Sequence, residues 1–185
     1  MCTGDVDGPG SIVHDLSVQP RLHNSSQRRT RAQWVLLAYR LPREPSTPRI
    51  AIWRKLKRLG AAQLLDGLVA LPLDSRNRER LEWLAEEVTE AAGEATLWLG
   101  ELGSAAQERE LASRMAEVVA GDYRTLIEDA AAARDQATGK RSRTLARLRR
   151  ELHRIRMRDY FPPPERELAL RMLDDLAALV EEPVR

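Results

Sequence analysis

The 185-residue sequence predicts an α/β (α+β) fold, a βαββαβ core followed by an α-helical C-terminal subdomain. Three observations carry that prediction. An apolar run at residues 34–39 stops at prolines and leads into an amphipathic stretch; Asp66-Gly67 separates two short apolar runs; and beyond Gly100 the apolar residues recur at helical spacing only.

Residues 34–39 form a short, nearly continuous apolar run, as expected of a strand buried on both faces. Pro42 and Pro45 stop it, since proline lacks an amide donor and restricts the residue before it. Ser46 or Thr47 is the expected cap of the next helix, with Pro48 at its first position, where a missing N–H costs nothing. Gly60 stands where a helix commonly ends. Residues 62–65 and 68–73 flank Asp66-Gly67, a two-residue hairpin signal. Asp74 or Ser75 then opens a helix in which Leu81, Leu84, Val88 and Ala91 share a face, Gly93 ends it, and residues 95–99 give a last strand. This order is the ferredoxin-like arrangement.

Past Gly100, Ser104 and Gln107 have capping-box spacing ahead of Leu111, Met115 and Val118. Gly121-Asp122 is expected to restart a second, alanine-rich helix that fades near Gly139. A third covers residues 142–158 and is ended by Pro162-Pro163-Pro164; a fourth runs from about Glu165 to Val180 with Leu168, Met172, Leu176 and Leu179 on one face. The expected organisation is therefore a disordered tail (1–32), a ferredoxin-like core (33–102) and an α-helical subdomain (103–185). The tail is assigned because it is rich in Gly, Ser, Pro, Gln and Asn without apolar periodicity.

With 43% hydrophobic residues the chain can bury a core, but so few are aromatic that Leu and Ala must fill most of it. The single Cys2 gives neither a disulfide framework nor a cysteine cluster, so a reducing cytoplasm is the expected setting. No stretch approaches the ~18–20 apolar residues of a membrane span, and the first residues do not read as a signal peptide. The net charge of +2 conceals an asymmetry: residues 140–158 carry +8, residues 49–58 carry +5, and the remainder sums to −11. Two concentrated basic segments on an otherwise acidic chain point to a polyanionic partner.

The first basic constellation is the helix 142–158. Leu145, Leu148, Leu152 and Ile155 make one apolar stripe, while Arg143, Arg147, Arg150 and Arg154 line another face, with Arg149, Arg156 and Arg158 beside them. Such a row matches phosphates along a nucleic-acid backbone, because guanidinium offers a planar fork to two oxygens. The plainer alternative is a solvated helix paired with acids elsewhere in the chain. A second constellation places Arg54 and Lys57, with Arg49, Lys55 and Arg58, on the helix after the prolines, either as a further polyanion contact or as an ordinary polar face. A third gathers Arg40, Arg43 and Arg49 around the N-terminus of that helix, where exposed N–H groups and the helix dipole favour an oxyanion; simple capping is the alternative.

Trp34, Trp53, Trp83 and Trp98 fall on separate elements and are expected to pack in the core or at its margin rather than stack on bases. His14, His23 and His153 have no metal-ligand spacing, and around residues 137–140 Arg134 and Arg141 stand where a phosphate loop needs its first glycine and its hydroxyl. No metal, cofactor or catalytic group is therefore expected, and the chain reads as a non-enzyme.

The stretches WVLLAYRLPREPSTPRIAIWRKLKRLGA, LLDGLVALP, LEWLAEEV with GEATLW, and LRRELHRIRMRDYFPPP together resemble the N-terminal domain of ChrB-type chromate-resistance proteins, a family distantly related to PaaX-type repressors. They cover most of residues 33–164. The resemblance implies a cytoplasmic, chromate-responsive DNA-binding regulator of a chromate-resistance (efflux) operon, with operator DNA as partner and chromate as effector. Many members of that family continue into a second, chromate-resistance domain, whereas this sequence stops at Arg185. A homodimer, or a separate polypeptide carrying that domain, is thus a further expected partner, and the rival reading is a non-catalytic interaction module that docks on it. The sequence shows no helix-turn-helix. A nuclease is a third reading that rests on fold analogy alone.

Overall fold

The computed structural model describes residues 32–181, so the expected tail, with Cys2, His14 and His23, lies outside the described residues apart from Ala32. The elements follow the predicted order: β1 (Trp34–Arg40), α1 (Ser46–Leu59), β2 (Ala62–Leu65), β3 (Leu68–Pro72), α2 (Ser75–Glu90) and β4 (Glu94–Gly100). Three helices complete the chain: α3 (Ala105–Ala133), α4 (Thr138–Arg156) and α5 (Glu165–Glu181). The strands form one sheet in the order β2-β3-β1-β4, with every neighbouring pair antiparallel, which is the ferredoxin-like topology. The register aligns Val35 with Leu71 and Leu99, and Leu37 with Val69 and Leu97. Residues opposite one another share a face, so Val35, Leu37, Val69, Leu71 and Leu97 build an apolar layer that ends at the half-exposed Leu99. Ile52 and Leu56 of α1 and Leu81, Leu84 and Val88 of α2 join it in one buried cluster, each side chain contributing about 1.5–3 kcal/mol.

Local chemistry sets most of the boundaries. Asp74 caps α2, its carboxylate accepting from the Asn77 N–H at 2.6 Å, and the Ser104 hydroxyl caps α3 by accepting from the Gln107 N–H at 3.2 Å. Gly60 ends α1 with a left-handed φ of 70°, as expected. The other end of α1 differs from expectation: Pro45, after a cis Glu44–Pro45 bond, is the N-cap, no side chain caps the helix, and Ser46 and Thr47 lie within its first turn. Nor does Gly93 end α2. The helix stops at Glu90, and Ala92 takes the left-handed conformation (φ 58°).

The largest departure lies in the helical half. The two helices expected on either side of Gly121-Asp122 are one, α3, 29 residues and about 43 Å long. A glycine inside a helix costs only about 1 kcal/mol, whereas continuity lets Val119, Tyr123, Leu126 and Ala130 stay on one buried face. The N-terminal turns of α3 give Leu111 and Met115 to the sheet cluster, and the rest builds a second cluster with Leu145, Leu148 and Ile155 of α4 and Ala169, Leu173 and Leu176 of α5. Two predicted faces are displaced by one residue. Val119 is buried in place of Val118, and α5 buries Ala169, Leu173, Leu176 and Ala177 while Leu168 lies exposed. Ala130 and Ala133 of α3 lie in one buried cluster with Ala169 and Ala177 of α5, small side chains that allow the two helices to pack closely. α4 also begins earlier than expected, at Thr138, and takes Gly139 into its first turn.

All three tyrosines of the chain hold their protons more tightly than a free phenol. Burial is the main cause for each; for Tyr123 the hydrogen bond to Asp159 adds to it, and for Tyr39 the charge of Asp66. A phenol raised in the folded state keeps its proton after the unfolded chain has lost it. Stability should therefore be unaffected by these groups below the ordinary value of 10.0 and fall as the pH rises past it. Tyrosinate absorbance should accordingly lag a denatured control and appear together with the loss of helical circular dichroism. Full tyrosine ionisation in a still-helical protein would contradict this.

Candidate nucleic-acid interface

α4 is held by one face and open on the other. Leu145, Leu148 and Ile155 are buried and Leu152 is partly buried, so the arginines spaced between them are directed outward by the helical period alone. Arg143, Arg147, Arg150 and Arg154 are all exposed. Their electrostatic states differ. Arg147 pairs with Asp129 of α3 at 2.8 Å and Arg154 with Glu151, while the Arg143 Nε donates to the Gly139 carbonyl at 3.1 Å. Arg149, Arg150 and Arg156 have no acidic partner among the described residues. Arg149, Arg150, His153 and Arg154 line a shallow groove of about 450 Å³. Two cations of the run serve the fold: Arg141 donates to the Leu179 and Gln136 carbonyls, and Arg158 pairs with Asp122 at 2.7 Å. Burial, outweighing Arg158, keeps the Asp122 carboxyl above its usual value.

On α1, Arg54 and Lys57 are exposed, as are Arg49 and Arg58. Lys55 is paired with Glu87 of α2, and the Lys57 ammonium lies 5.7 Å from the centre of the Trp53 ring, a cation–π arrangement. Trp53, Trp83 and Trp98 are 50%, 59% and 61% exposed, and only Trp34 (1%) is a core residue, against the expectation that all four would pack in or beside the core. The outer faces of α1 and α2 and the edge strand β4 carry those three rings, because leucine and valine already fill the layer behind them. Helical spacing offered a signal for Trp53, which stands four residues from both Arg49 and Lys57.

The two basic helices meet at their C-terminal ends. A side chain at Gly60 would come within 2.8 Å of the Arg158 Cβ, so the α1 terminus and the segment leaving α4 are in close contact. The Tyr160 hydroxyl lies 2.9 Å from the Leu59 carbonyl oxygen and 3.1 Å from Asn77 Oδ1, and an Arg76 guanidinium nitrogen is 3.7 Å from the Met157 sulfur. Lys57, Arg58, Arg154 and Arg156 thus fall in the last turns of two helices whose negative dipole ends converge. Nothing in the linear sequence signalled this joint, since Gly60 and Arg158 are almost a hundred residues apart. Beside it, Tyr123 donates to Asp159 at 2.8 Å, and Arg166 stands 3.5 Å from the same oxygen.

Of the three arginines of the turn, two share a cleft. Arg40 is tied to Glu94 across β1 and β4 at 3.0 Å, and Arg40 and Arg49 line a cleft of about 510 Å³ with Tyr39, Trp53 and Asp66. Arg43 is exposed and does not line it. Among the described residues no three His, Cys, Asp or Glu side chains are grouped to hold a metal ion, and no helix is long and apolar enough to cross a membrane.

Comparison with known proteins adds three findings. The family described as Protein ChrB, N-terminal, matches residues 49–183, a range that takes in both basic segments and leaves out Arg40 and Arg43. Protein ChrB of Cupriavidus metallidurans is 32% identical over 134 residues, which span 70% of this chain and 40% of that protein. No solved structure matches the chain.

Proposed function

The chain belongs to the ChrB N-terminal family, and from that premise we propose that it is a non-catalytic, cytoplasmic DNA-binding regulator of chromate resistance, acting on the operator of an efflux operon. One observation carries the reading: two basic helices, separate in the sequence, abut at Gly60 and Arg158 and present Arg149, Arg150, Arg156, Arg54 and Arg58 without acidic partners among the described residues. Cations left unneutralised by their own fold are available to phosphates, and two joined helices supply more contacts than either alone. Retention of random duplex DNA that falls steeply with added salt is the expected result. Salt-independent binding, or none at low salt, would remove the reading.

Chromate is the proposed effector, and the cleft beside α1 is where it would act. Arg49 lines that cleft without an acidic partner among the described residues, whereas Arg40 is engaged by Glu94. Replacing Arg49 by Gln should weaken chromate binding about tenfold, the weight of one charge-assisted hydrogen bond, and replacing Arg43 should change it little. Sulfate should compete, being a tetrahedral dianion too. Calorimetric titrations of both variants check this; equal chromate affinity in the Arg49→Gln variant would place the sensor elsewhere.

A second reading, a module that docks on a separate chromate-resistance domain or on its own copy, draws on different features. Trp98 and Leu99 are exposed on the edge strand β4, and Arg147 and Arg154 are already partnered by acids. Binding to that domain that survives high salt, without DNA retention, would favour it.

A further inference from the structure

Apart from the basic faces and the chromate cleft, a cavity of about 230 Å³ opens where the end of α1, the start of β2 and the middle of α3 meet. Its apolar wall runs from the buried Leu111 and Met115 to Val118, which is 66% exposed, with the small Ala61 and Ala62 opposite. Its polar lining is one-sided. Lys57, Arg114 and Arg158 contribute three cations and no carboxylate lines it. Arg114 has no acidic partner among the described residues, and the Arg158 Nε is a buried donor without an acceptor there. Arg158 reaches Asp122 through its terminal nitrogen only.

We propose that this cavity binds a small amphipathic carboxylate, a ring or short branched chain of about nine heavy atoms bearing one acid group. Size and chemistry set the class. A dry cavity of about 150 Å³ already admits benzene, so this one holds a ring and leaves room for a carboxylate. Leu111 and Met115 take the ring, and Arg114 and Lys57 take the acid, Arg114 as a planar fork to both oxygens. An inorganic dianion such as chromate has no apolar body and gains nothing from the wall, so the cavity and the cleft at Arg49 select different ligands. Because Lys57 and Arg158 belong to the two joined basic segments, occupancy bears directly on that joint; this regulatory consequence rests on the DNA reading, while binding itself does not.

The test uses the whole chain without DNA, benzoate as the probe, and calorimetry with thermal shift as readouts. Benzoate should saturate at or below the millimolar range expected of so small a ligand and raise the melting temperature, while benzamide, of the same shape without charge, should bind at least tenfold more weakly. Arg114→Gln, on an exposed position of α3, should weaken benzoate about tenfold, and Ala62→Leu should block it by filling the space. Arg49→Gln, in the other cleft, should leave it unchanged. Equal binding of benzoate and benzamide, no saturation with benzoate, or parental affinity in both the Arg114 and Ala62 variants would overturn the proposal. The salt dependence of DNA retention is measured without benzoate, so either reading can fail alone.

Discussion

Raising the salt from 50 to 200 mM should weaken duplex DNA binding roughly 500-fold in the parent protein and only about 12-fold when Arg149, Arg150 and Arg156 are all replaced by glutamine. The arithmetic follows from counterion release. Five phosphates neutralised give a slope of log K against log salt of about −4.5, and removing three contacts flattens it by about 2.7. These three arginines are exposed on α4, and none of them has an acidic partner among the described residues. Phosphate contacts carry no sequence information, so the change should be equal for operator and random DNA. Leu145, Leu148 and Ile155, which hold the helix, are untouched, and circular dichroism should be unaltered. A triple variant with the parental slope would mean that α4 does not contact DNA, and the docking module would become the better account.

Replacing Gly60 by valine should lower stability by about 2–5 kcal/mol, the sum of roughly 1–2 for a left-handed β-branched residue and roughly 1–3 for overpacking. For a chain of this size that is a fall of roughly 5–15 °C in melting temperature. Both parts come from one place: Gly60 has φ 70°, and an added Cβ would lie 2.8 Å from the Arg158 Cβ. Gly121→Ala makes the contrast. It sits inside α3, and a Cβ there would meet only an Arg124 nitrogen, at 3.9 Å, so this variant should be more stable by about 0.5–1 kcal/mol. If Gly60→Val melts with the parent, the end of α1 and the segment leaving α4 are not tightly joined.

How far the sequence could be read depended on the range of the interaction involved. The strands, the Asp66-Gly67 hairpin, the αL end of α1 at Gly60 and the caps at Asp74 and Ser104 each depend on residues within a few positions of one another, and all were legible. The arginine row of α4 was legible for the same reason, as a matter of 3.6-residue spacing. The place of Trp53 at the margin of the buried Ile52 and Leu56 stripe was legible too, but how much of the ring stays exposed depends on the packing behind it.

By itself, then, the sequence determined the order and type of the elements of the βαββαβ core, the topology they could adopt, and which residues carry charge on which segment. Tertiary structure alone decided the rest. Burial of Val119, Tyr123 and Leu126 outweighed a glycine's weak preference against helix and made α3 continuous through Gly121. Close approach of alanine faces chose Ala169 over Leu168 and so fixed the rotation of α5. Ion pairing, a matter of distance in space, separated Arg147 and Arg154 from Arg149 and Arg150, which no spacing rule distinguishes. And the contact of Gly60 with Arg158 brought two basic segments together, because a gap the size of one missing side chain is visible only when both backbones are in place.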